Sequence, residues 1–175
     1  TDNIKNIEVI SNSVTFHESP KNTSTKLPKG IKLLYLTHYY PHKNFDILIP
    51  FAEQLKKRKL PYKIIITISK SQHSGAENFL NQIRKKNLEE IVINIGPVEI
   101  DQIDTLYQSC DALLMPTILE SYGLTYVEAM NHRLPILTSD MDFAHSVCQE
   151  AAYYFDPEDS DSLLSLSLIN ISEPT

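Results

Sequence analysis

The stretch Ala112-Leu-Leu-Met-Pro-Thr-Ile-Leu-Glu-Ser-Tyr-Gly-Leu-Thr-Tyr-Val-Glu-Ala-Met-Asn131 contains a strand, a loop and a helix in succession. The continuous apolar run Ala112–Met115 is typical of a strand that is buried on both faces. Pro116 ends this run, and helical periodicity begins after Gly123. The stretch therefore predicts one β-loop-α unit whose loop lies at the carboxyl end of its strand.

The same kind of unit repeats along the chain from residue 31 onward. Strands are predicted at Lys32–Thr37, Tyr62–Ile68, Ile91–Ile95, Ala112–Met115, Pro135–Thr138 and Ala152–Phe155. Helices are predicted at about residues 45–59, 75–87, 100–109, 124–131, 142–150 and 159–169. Pro50 should kink the first helix or delay its start. Six such units predict an α/β fold with three layers, a Rossmann-like, doubly wound parallel sheet of about six strands with helices on both faces.

Length and composition place one domain in this chain. It has 175 residues, of which 42% are hydrophobic and 22% are charged, as in an ordinary globular domain. Residues 1–29 are polar and are predicted to be a linker or an N-terminal arm, in which only Ile7–Ile10 resembles a strand. Residues 30–170 are the predicted domain, and residues 171–175 are a tail.

Several classes of function are disfavoured by what the sequence lacks. The net charge is −6 and no long basic patch is present, which argues against nucleic-acid binding. No apolar run approaches the ~20 residues of a transmembrane helix. The four glycines are too widely spaced for a G-x-G-x-x-G or P-loop motif, and no His, Cys, Asp or Glu spacing indicates a metal site. Two cysteines without a Cys-x-x-Cys motif or a secretory signal indicate buried free thiols in the cytoplasm.

The loop after Met115 carries the strongest functional signal. Ligands of doubly wound sheets bind at the carboxyl ends of the strands. Here Glu120 and Glu128 flank Gly123, and the N–H groups of Gly123, Leu124 and Thr125 would bind an anion at the start of the helix. A carboxylate at Glu128 can accept hydrogen bonds from the vicinal hydroxyls of a ribose. The alternative is that Glu120 caps the helix and that Glu128 lies at the edge of an apolar helix face or is a salt-bridge partner.

Two further loops lie at the same edge of the predicted sheet. The loop after the first strand contains Thr37, His38 and Lys43, and the lysine could neutralise a phosphate. Its alternative is a surface loop in which Asn44 caps the next helix. After the third strand, the turn from Gly96 to Val98 could wall a planar base, or it could be an ordinary turn before a helix.

Together these segments resemble the group 1, family 4-like, retaining glycosyltransferases. The run Glu120-Ser-Tyr-Gly-Leu-Thr-Tyr-Val-Glu128 is similar to the E-x7-E motif of that family. Cys110-Asp-Ala-Leu-Leu-Met-Pro, Leu134-Pro-Ile-Leu-Thr-Ser-Asp140 and Ala151-Ala-Tyr-Tyr-Phe-Asp-Pro157 resemble it too. The resemblance implies the C-terminal, donor-binding half of a GT-B enzyme, in which two Rossmann-like domains face a cleft.

The resemblance also implies a role for each matching residue. The donor would be a nucleoside-diphosphate sugar, transferred with retention and without an obligatory metal or other cofactor. Glu120 and Lys43 would act in catalysis, at the sugar and at the diphosphate, and Glu128 would hold the ribose. Donor-binding positions would further include Ser121, Tyr122, Gly123, Leu124, Thr125, Thr37, His38, Gly96 and Val98.

The sequence departs from the family where Thr37-His38 replaces a common Gly-Arg pair. His38 could replace the arginine in part when it is protonated. The N-terminal half, which would bind a carbohydrate or lipid-linked acceptor at the inner face of the membrane, is expected to be missing, and these residues alone are expected to be inactive. The alternatives are another GT-B-like enzyme, such as a nucleotide-sugar epimerase or a glycogen-synthase-like polymerase, and a non-catalytic Rossmann-like interaction module.

Overall fold

A computed structural model describes residues 27–171 of the chain. The strands are β1 (Ile31–Tyr35), β2 (Tyr62–Ile66), β3 (Val92–Asn94), β4 (Ala112–Met115), β5 (Ile136–Ser139) and β6 (Tyr153–Phe155). The helices are α1 (Leu48–Lys57), α2 (Ser74–Lys85), α3 (Ile100–Gln108), α4 (Leu124–Asn131), α5 (Asp142–Cys148) and α6 (Ser160–Asn170). The predicted short strand Ile7–Ile10 lies outside the described residues.

The six strands form one sheet in the order β3-β2-β1-β4-β5-β6, and all neighbouring strands are parallel. The chain moves outward in one direction from β1 to β3, and then returns to the centre at β4 and moves outward in the other direction. The strand order therefore reverses between β1 and β4, and a crevice opens there at the carboxyl ends of the strands. This confirms the predicted doubly wound parallel sheet.

The central strands consist of buried apolar residues on both faces. Leu33 and Leu34 of β1 and Leu113 and Leu114 of β4 have no exposed surface. Consecutive strand residues point to opposite faces of a sheet, so burial of both members of each pair requires cover on both sides. Burying each of these leucines contributes about 1.5–3 kcal/mol. These four side chains therefore anchor the two strands that form the crevice.

The first helix starts later than its hydrophobic pattern suggests. Residues Phe45–Ile47 form a 3-10 turn, and α1 begins only at Leu48. Pro50 then lies in the first turn, where its missing N–H is tolerated because N–H groups at that position have no partner within the helix. The prediction of a delayed start is confirmed, and the residues before it stay close to the end of β1.

Candidate functional site

A cleft of about 330 Å³ opens at the carboxyl ends of β1 and β4, where the strand order reverses. Its walls come from the loops after β1, β2 and β3 and from the first two turns of α3 and α4. The lining residues are Leu36, Thr37, His38, Thr67, Pro97, Val98, Ile100, Ile103, Leu124, Thr125 and Glu128. The cleft is mostly apolar and contains a single carboxylate. Such a lining suits a flat organic ring beside a group that carries hydroxyls.

The Glu128 carboxylate in this cleft has a fixed partner. The hydroxyl of Tyr107 donates a hydrogen bond to Oε2 of Glu128 over 2.8 Å. Burial raises the pKa of the Glu128 carboxyl from its usual 4.5, and this hydrogen bond opposes the rise. The neighbouring Asp104 raises this pKa further, while His132 lowers it. Glu128 forms no ion pair among the described residues, so the salt-bridge alternative does not describe it.

Gly123 is the N-cap of α4, with φ of 72° and ψ of 51°. A Cβ atom built on this residue would lie 2.4 Å from the Tyr126 ring, which packs directly over the glycine. Tyr126 is held in turn by a 2.7 Å hydrogen bond between its hydroxyl and Thr138 of β5. Glycine is therefore required here both by the left-handed backbone and by the close ring. Glu120 does not cap α4, so that alternative is wrong.

Lys43 and Glu120 form a direct ion pair. Nζ of Lys43 lies 2.5 Å from Oε2 of Glu120, and the two side chains are only 12% and 18% exposed. The other carboxylate oxygen of Glu120 accepts a 3.1 Å hydrogen bond from the backbone N–H of Ser121. The hydroxyl of buried Tyr35 donates to the carbonyl of Lys43 over 2.6 Å. The pair is thus fixed from both sides, and its charges face each other in partly desolvated surroundings.

The loops that carry this ion pair are joined by backbone and hydroxyl contacts. The hydroxyl of buried Thr117 lies 3.1 Å from the carbonyl of His42 and 3.0 Å from that of Leu119. The N–H of Ile118 also donates to the His42 carbonyl over 2.9 Å. Lys43 and Glu120 follow immediately on these anchored residues. The loops after β1 and β4 therefore act as one rigid support at the switch point.

His38 is oriented by Gln72 from the loop after β2. The N–H of Tyr39 donates to Oε1 of Gln72 over 3.2 Å, which turns Nε2 of Gln72 toward His38 at 2.5 Å. An amide nitrogen donates only, so Nδ1 of His38 accepts and the proton of the neutral ring is on Nε2. This contact fixes the orientation of the His38 ring in the wall of the cleft.

The structure places eleven of the twelve predicted site residues in two groups. Six line the cleft: Thr37, His38, Val98, Leu124, Thr125 and Glu128. Lys43 and Glu120 form the ion pair, and Ser121, Tyr122 and Gly123 connect that pair to α4. Gly96 does not line the cleft, but its neighbours Pro97 and Val98 do. Asn44 does not cap the following turn with its side chain, and instead donates to the carbonyl of Pro157 over 2.9 Å.

Sequence reasoning missed the residues behind Glu128. Tyr107 lies within the apolar pattern of α3, where a tyrosine is indistinguishable from a core residue. The Tyr107 ring stacks on His132 with centroids 5.1 Å apart, and Nε2 of His132 lies 3.1 Å from Oδ1 of Asp104. The spacing of Asp104 and Tyr107, three residues apart on one helix, was the only available signal.

Residues 27–171 contain no group of three or more His, Cys, Asp or Glu side chains that could hold a metal ion. The expectation that no metal is obligatory is not tested by this and stays a prediction. None of the helices within this range has the length and apolar character needed to cross a membrane. Cys110 and Cys148 are both buried and unpaired, as predicted, and burial raises the pKa of their thiols to about 12 and about 11.

Two curated relatives share most of this chain. The O-antigen chain mannosyltransferase RfbU of Salmonella typhimurium is 28% identical over 156 residues, which are 89% of this chain and 42% of that protein. The poly(ribitol-phosphate) alpha-N-acetylglucosaminyltransferase of Staphylococcus aureus is 27% identical over 143 residues, 82% of this chain and 27% of that protein. The chain thus spans less than half the length of these relatives.

Solved structures share the fold. TarM superposes with a TM-score of 0.74 at 23% identity, over 92% of this chain and 31% of that one. Anabaena Alr3699/HepE, crystallised with UDP and glucose, gives a TM-score of 0.68 at 20% identity, over 81% of this chain and 39% of that one. The sequence model described as "Glycosyl transferases group 1" matches residues 18–169. Because this match covers most of the chain, the protein belongs to the group 1 glycosyltransferase family.

Proposed function

We propose that this domain binds a nucleoside-diphosphate sugar and presents it for retaining transfer of the glycosyl group to an acceptor. One observation carries the proposal. The Glu128 cleft and the Lys43–Glu120 pair both lie at the switch point, and the start of α4 at Gly123 connects them. A carboxylate for hydroxyls, a helix N-terminus for phosphate and a lysine for further negative charge are the groups that such a donor requires.

The nucleoside would occupy the cleft. Val98, Ile103 and Leu124 offer apolar contact area to a base, and Glu128 accepts hydrogen bonds from the ribose hydroxyls. His38 would donate a hydrogen bond from Nε2–H to a phosphate oxygen from the side of β1. The first N–H groups of α4 have no acceptor within the helix and would bind the diphosphate.

The transfer step would draw on Lys43 and Glu120. Departure of the nucleoside diphosphate leaves negative charge on a phosphate oxygen, and the Lys43 ammonium stabilises that charge electrostatically. Glu120 would accept hydrogen bonds from hydroxyls of the donor sugar. Because these two side chains pair with each other here, donor binding must separate them or admit the substrate between them. No metal is required in this proposal.

We propose that activity belongs to a longer protein whose other domain binds a carbohydrate or lipid-linked acceptor at the cytoplasmic face of the membrane. The shorter span of this chain supports a longer protein. The names of two relatives, an O-antigen chain mannosyltransferase and a poly(ribitol-phosphate) alpha-N-acetylglucosaminyltransferase, support a carbohydrate-type acceptor. HepE was crystallised with UDP. These relatives favour transfer over the epimerase alternative, and analysis of the product made by a longer protein would distinguish the two.

The proposal is tested by thermal unfolding of the chain with UDP, GDP and ADP. A ligand that binds only the folded state raises Tm, and saturation at about 100 times Kd adds ~2.7 kcal/mol. We expect one nucleotide to raise Tm by roughly 5–10 °C, since each kcal/mol is worth about 2–4 °C at this size. The shift should be lost in Glu128→Ala.

Glu77→Ala provides a matched control, because Glu77 is an exposed glutamate of α2. Its nucleotide shift should equal that of the unsubstituted chain. An equal shift in Glu128→Ala would show that the nucleotide binds elsewhere. The absence of any shift with millimolar UDP, GDP or ADP would favour the interaction module over the donor domain.

A further inference from the structure

The Tyr107 hydroxyl is buried at the back of the cleft and is directed at one oxygen of Glu128. Tyr107 is 0% exposed, and its hydroxyl lies 2.8 Å from Oε2 of Glu128. Its only other acceptor contact among the described residues is the carbonyl of Thr125, at a long 3.5 Å. An ionised carboxylate accepts only, so the phenol is the donor in this pair.

The ring that carries this hydroxyl is held by two further side chains. His132 at the end of α4 stacks on it with an interplanar angle of 12°. Nε2 of His132 contacts Oδ1 of Asp104, which lies one turn before Tyr107 on α3. The contact joins α3 and α4, the two helices that supply Ile103 and Glu128 to the cleft walls.

A carboxylate held in this way has a defined orientation. Oε2 of Glu128 is engaged by Tyr107, so rotation about the terminal bond of the glutamate would break a buried hydrogen bond. Two vicinal hydroxyls can then donate to the free lone pairs of the carboxylate only from the side that Tyr107 does not occupy. A single hydroxyl can follow a rotating carboxylate, whereas a rigid cis-diol needs an acceptor with a fixed orientation.

We infer that Tyr107 is a positioning residue that orients the Glu128 carboxylate toward the vicinal hydroxyls of the donor ribose, and that it thereby makes the site selective for ribonucleotides over 2′-deoxyribonucleotides. The Asp104–His132 contact keeps the Tyr107 ring in place. This inference rests on the proposed donor site. It adds a specificity-determining residue that lies behind the cleft and does not contact the ligand.

The test compares the affinities for UDP and 2′-deoxy-UDP by calorimetry, or for the corresponding pair of another base if that base is the one that binds. We expect the unsubstituted chain to prefer the ribonucleotide by about tenfold, the usual value of one charge-assisted hydrogen bond. Tyr107→Phe should weaken ribonucleotide binding by about three- to tenfold and change deoxyribonucleotide binding by less than about twofold. Selectivity is thus largely lost.

Tyr62→Phe is the matched control. Tyr62 is also a buried tyrosine, and its hydroxyl contacts the carbonyls of Ser167 and Ile171 at the opposite end of the strands. It should lower Tm while retaining ribose selectivity. If Tyr107→Phe weakens both nucleotides equally, or neither, Tyr107 is a structural residue only and the inference is wrong.

A second measurement needs no nucleotide. Titration of the Glu128 carboxyl by ¹³C NMR should show a higher pKa in Tyr107→Phe, because a hydrogen bond to the charged form has been removed. Asp104, His132 and His38, which face the same carboxylate or cleft, are unchanged in this comparison. An unchanged pKa would overturn the positioning role. If neither nucleotide binds the unsubstituted chain, the proposed donor site fails, even where the titration shows the Tyr107 contact.

Discussion

The two glutamates on either side of Gly123 have the same side chain but lie in different surroundings. Glu120 faces the Lys43 ammonium, a cation from a loop 77 residues away in sequence. Glu128 faces a neutral phenol, and burial raises the pKa of its carboxyl. Charge at Glu120 is neutralised within the protein, whereas charge at Glu128 is only partly compensated.

This difference indicates that the two carboxylates have different roles when a ligand binds. A substrate can separate the two charges of an ion pair. The cation then contacts negative groups of the ligand, and the carboxylate accepts hydrogen bonds from its hydroxyls. A desolvated carboxylate with one hydrogen-bond donor is an acceptor that gains when hydroxyls arrive, since a buried charge is costly until it is fully hydrogen-bonded. We therefore expect rearrangement at Glu120 and almost none at Glu128 when a donor binds.

Removing the glycine that separates the two glutamates should have the largest effect. Gly123→Ala places a Cβ atom 2.4 Å from the Tyr126 ring at a φ of 72°. The backbone strain and the clash together should lower the free energy of unfolding by about 2–5 kcal/mol. Urea denaturation measures this loss.

Gly96→Ala separates the two causes. Gly96 has a similar φ of 76°, but nothing lies within 4 Å of its missing Cβ. Gly96→Ala should therefore lower the free energy of unfolding only by the cost of the left-handed backbone, about 1–2 kcal/mol. Equal losses at the two positions would show that the Tyr126 ring moves aside and does not constrain the start of α4.

Next in size is the loss of the Lys43–Glu120 pair. Glu120→Gln leaves a largely buried ammonium without its counter-charge, and we expect a loss of about 1–3 kcal/mol in the free energy of unfolding. Lys43→Met should behave similarly, and the double variant should lose less than the sum of the two. A double-mutant cycle in urea denaturation gives the coupling energy directly.

The exposed pair Lys86–Glu53 is the control for this cycle. Its side chains are 41% and 45% exposed, at an N–O distance of 2.6 Å. Exposed pairs couple by about 0.2–1 kcal/mol because solvent screens them and side-chain entropy opposes them. Equal coupling in the two pairs would contradict the view that Lys43 and Glu120 interact in partly desolvated surroundings.

The fold was largely predictable because its signals are local. Apolar runs mark the buried strands, and α4 was predicted with the limits Leu124–Asn131 that the structure shows. Gly123 marks the start of α4, since its left-handed backbone is a local requirement. Strand ends were predicted less well: β1 ends at Tyr35 and not at Thr37, because the cleft lies beyond it.

The contacts within the site were not predictable in the same way. The pairing of Lys43 with Glu120 requires β1 to lie beside β4, and the hydrophobic pattern does not specify strand order. Tyr107 was missed because a buried tyrosine on an amphipathic helix looks like core until its hydroxyl partner is known. Sequence therefore predicted several residues that line the cleft, but not the ones that hold them in place.

The smallest expected effect is a pH dependence at Glu128. Its pKa is raised above the usual 4.5, so near and above that value the folded state binds more protons than the unfolded state. The Glu128 carboxyl therefore contributes to the free energy of unfolding below pH 4.5, and this contribution is lost as the pH rises through its raised pKa. Glu128→Gln cannot ionise, so it should unfold at a higher Tm than the unsubstituted chain at pH 7, with the difference shrinking by pH 4.

Glu120→Gln has the opposite sign at pH 7, because it removes one charge of a partly buried ion pair. Thermal unfolding of both variants at pH 4 and pH 7 therefore compares the two glutamates in a single experiment. If Glu128→Gln were destabilising at pH 7 by as much as Glu120→Gln, its charge would be compensated within the protein. Hydrogen bonds from ligand hydroxyls would then stabilise Glu128 no more than Glu120. This result would contradict the assignment of different roles to the two carboxylates.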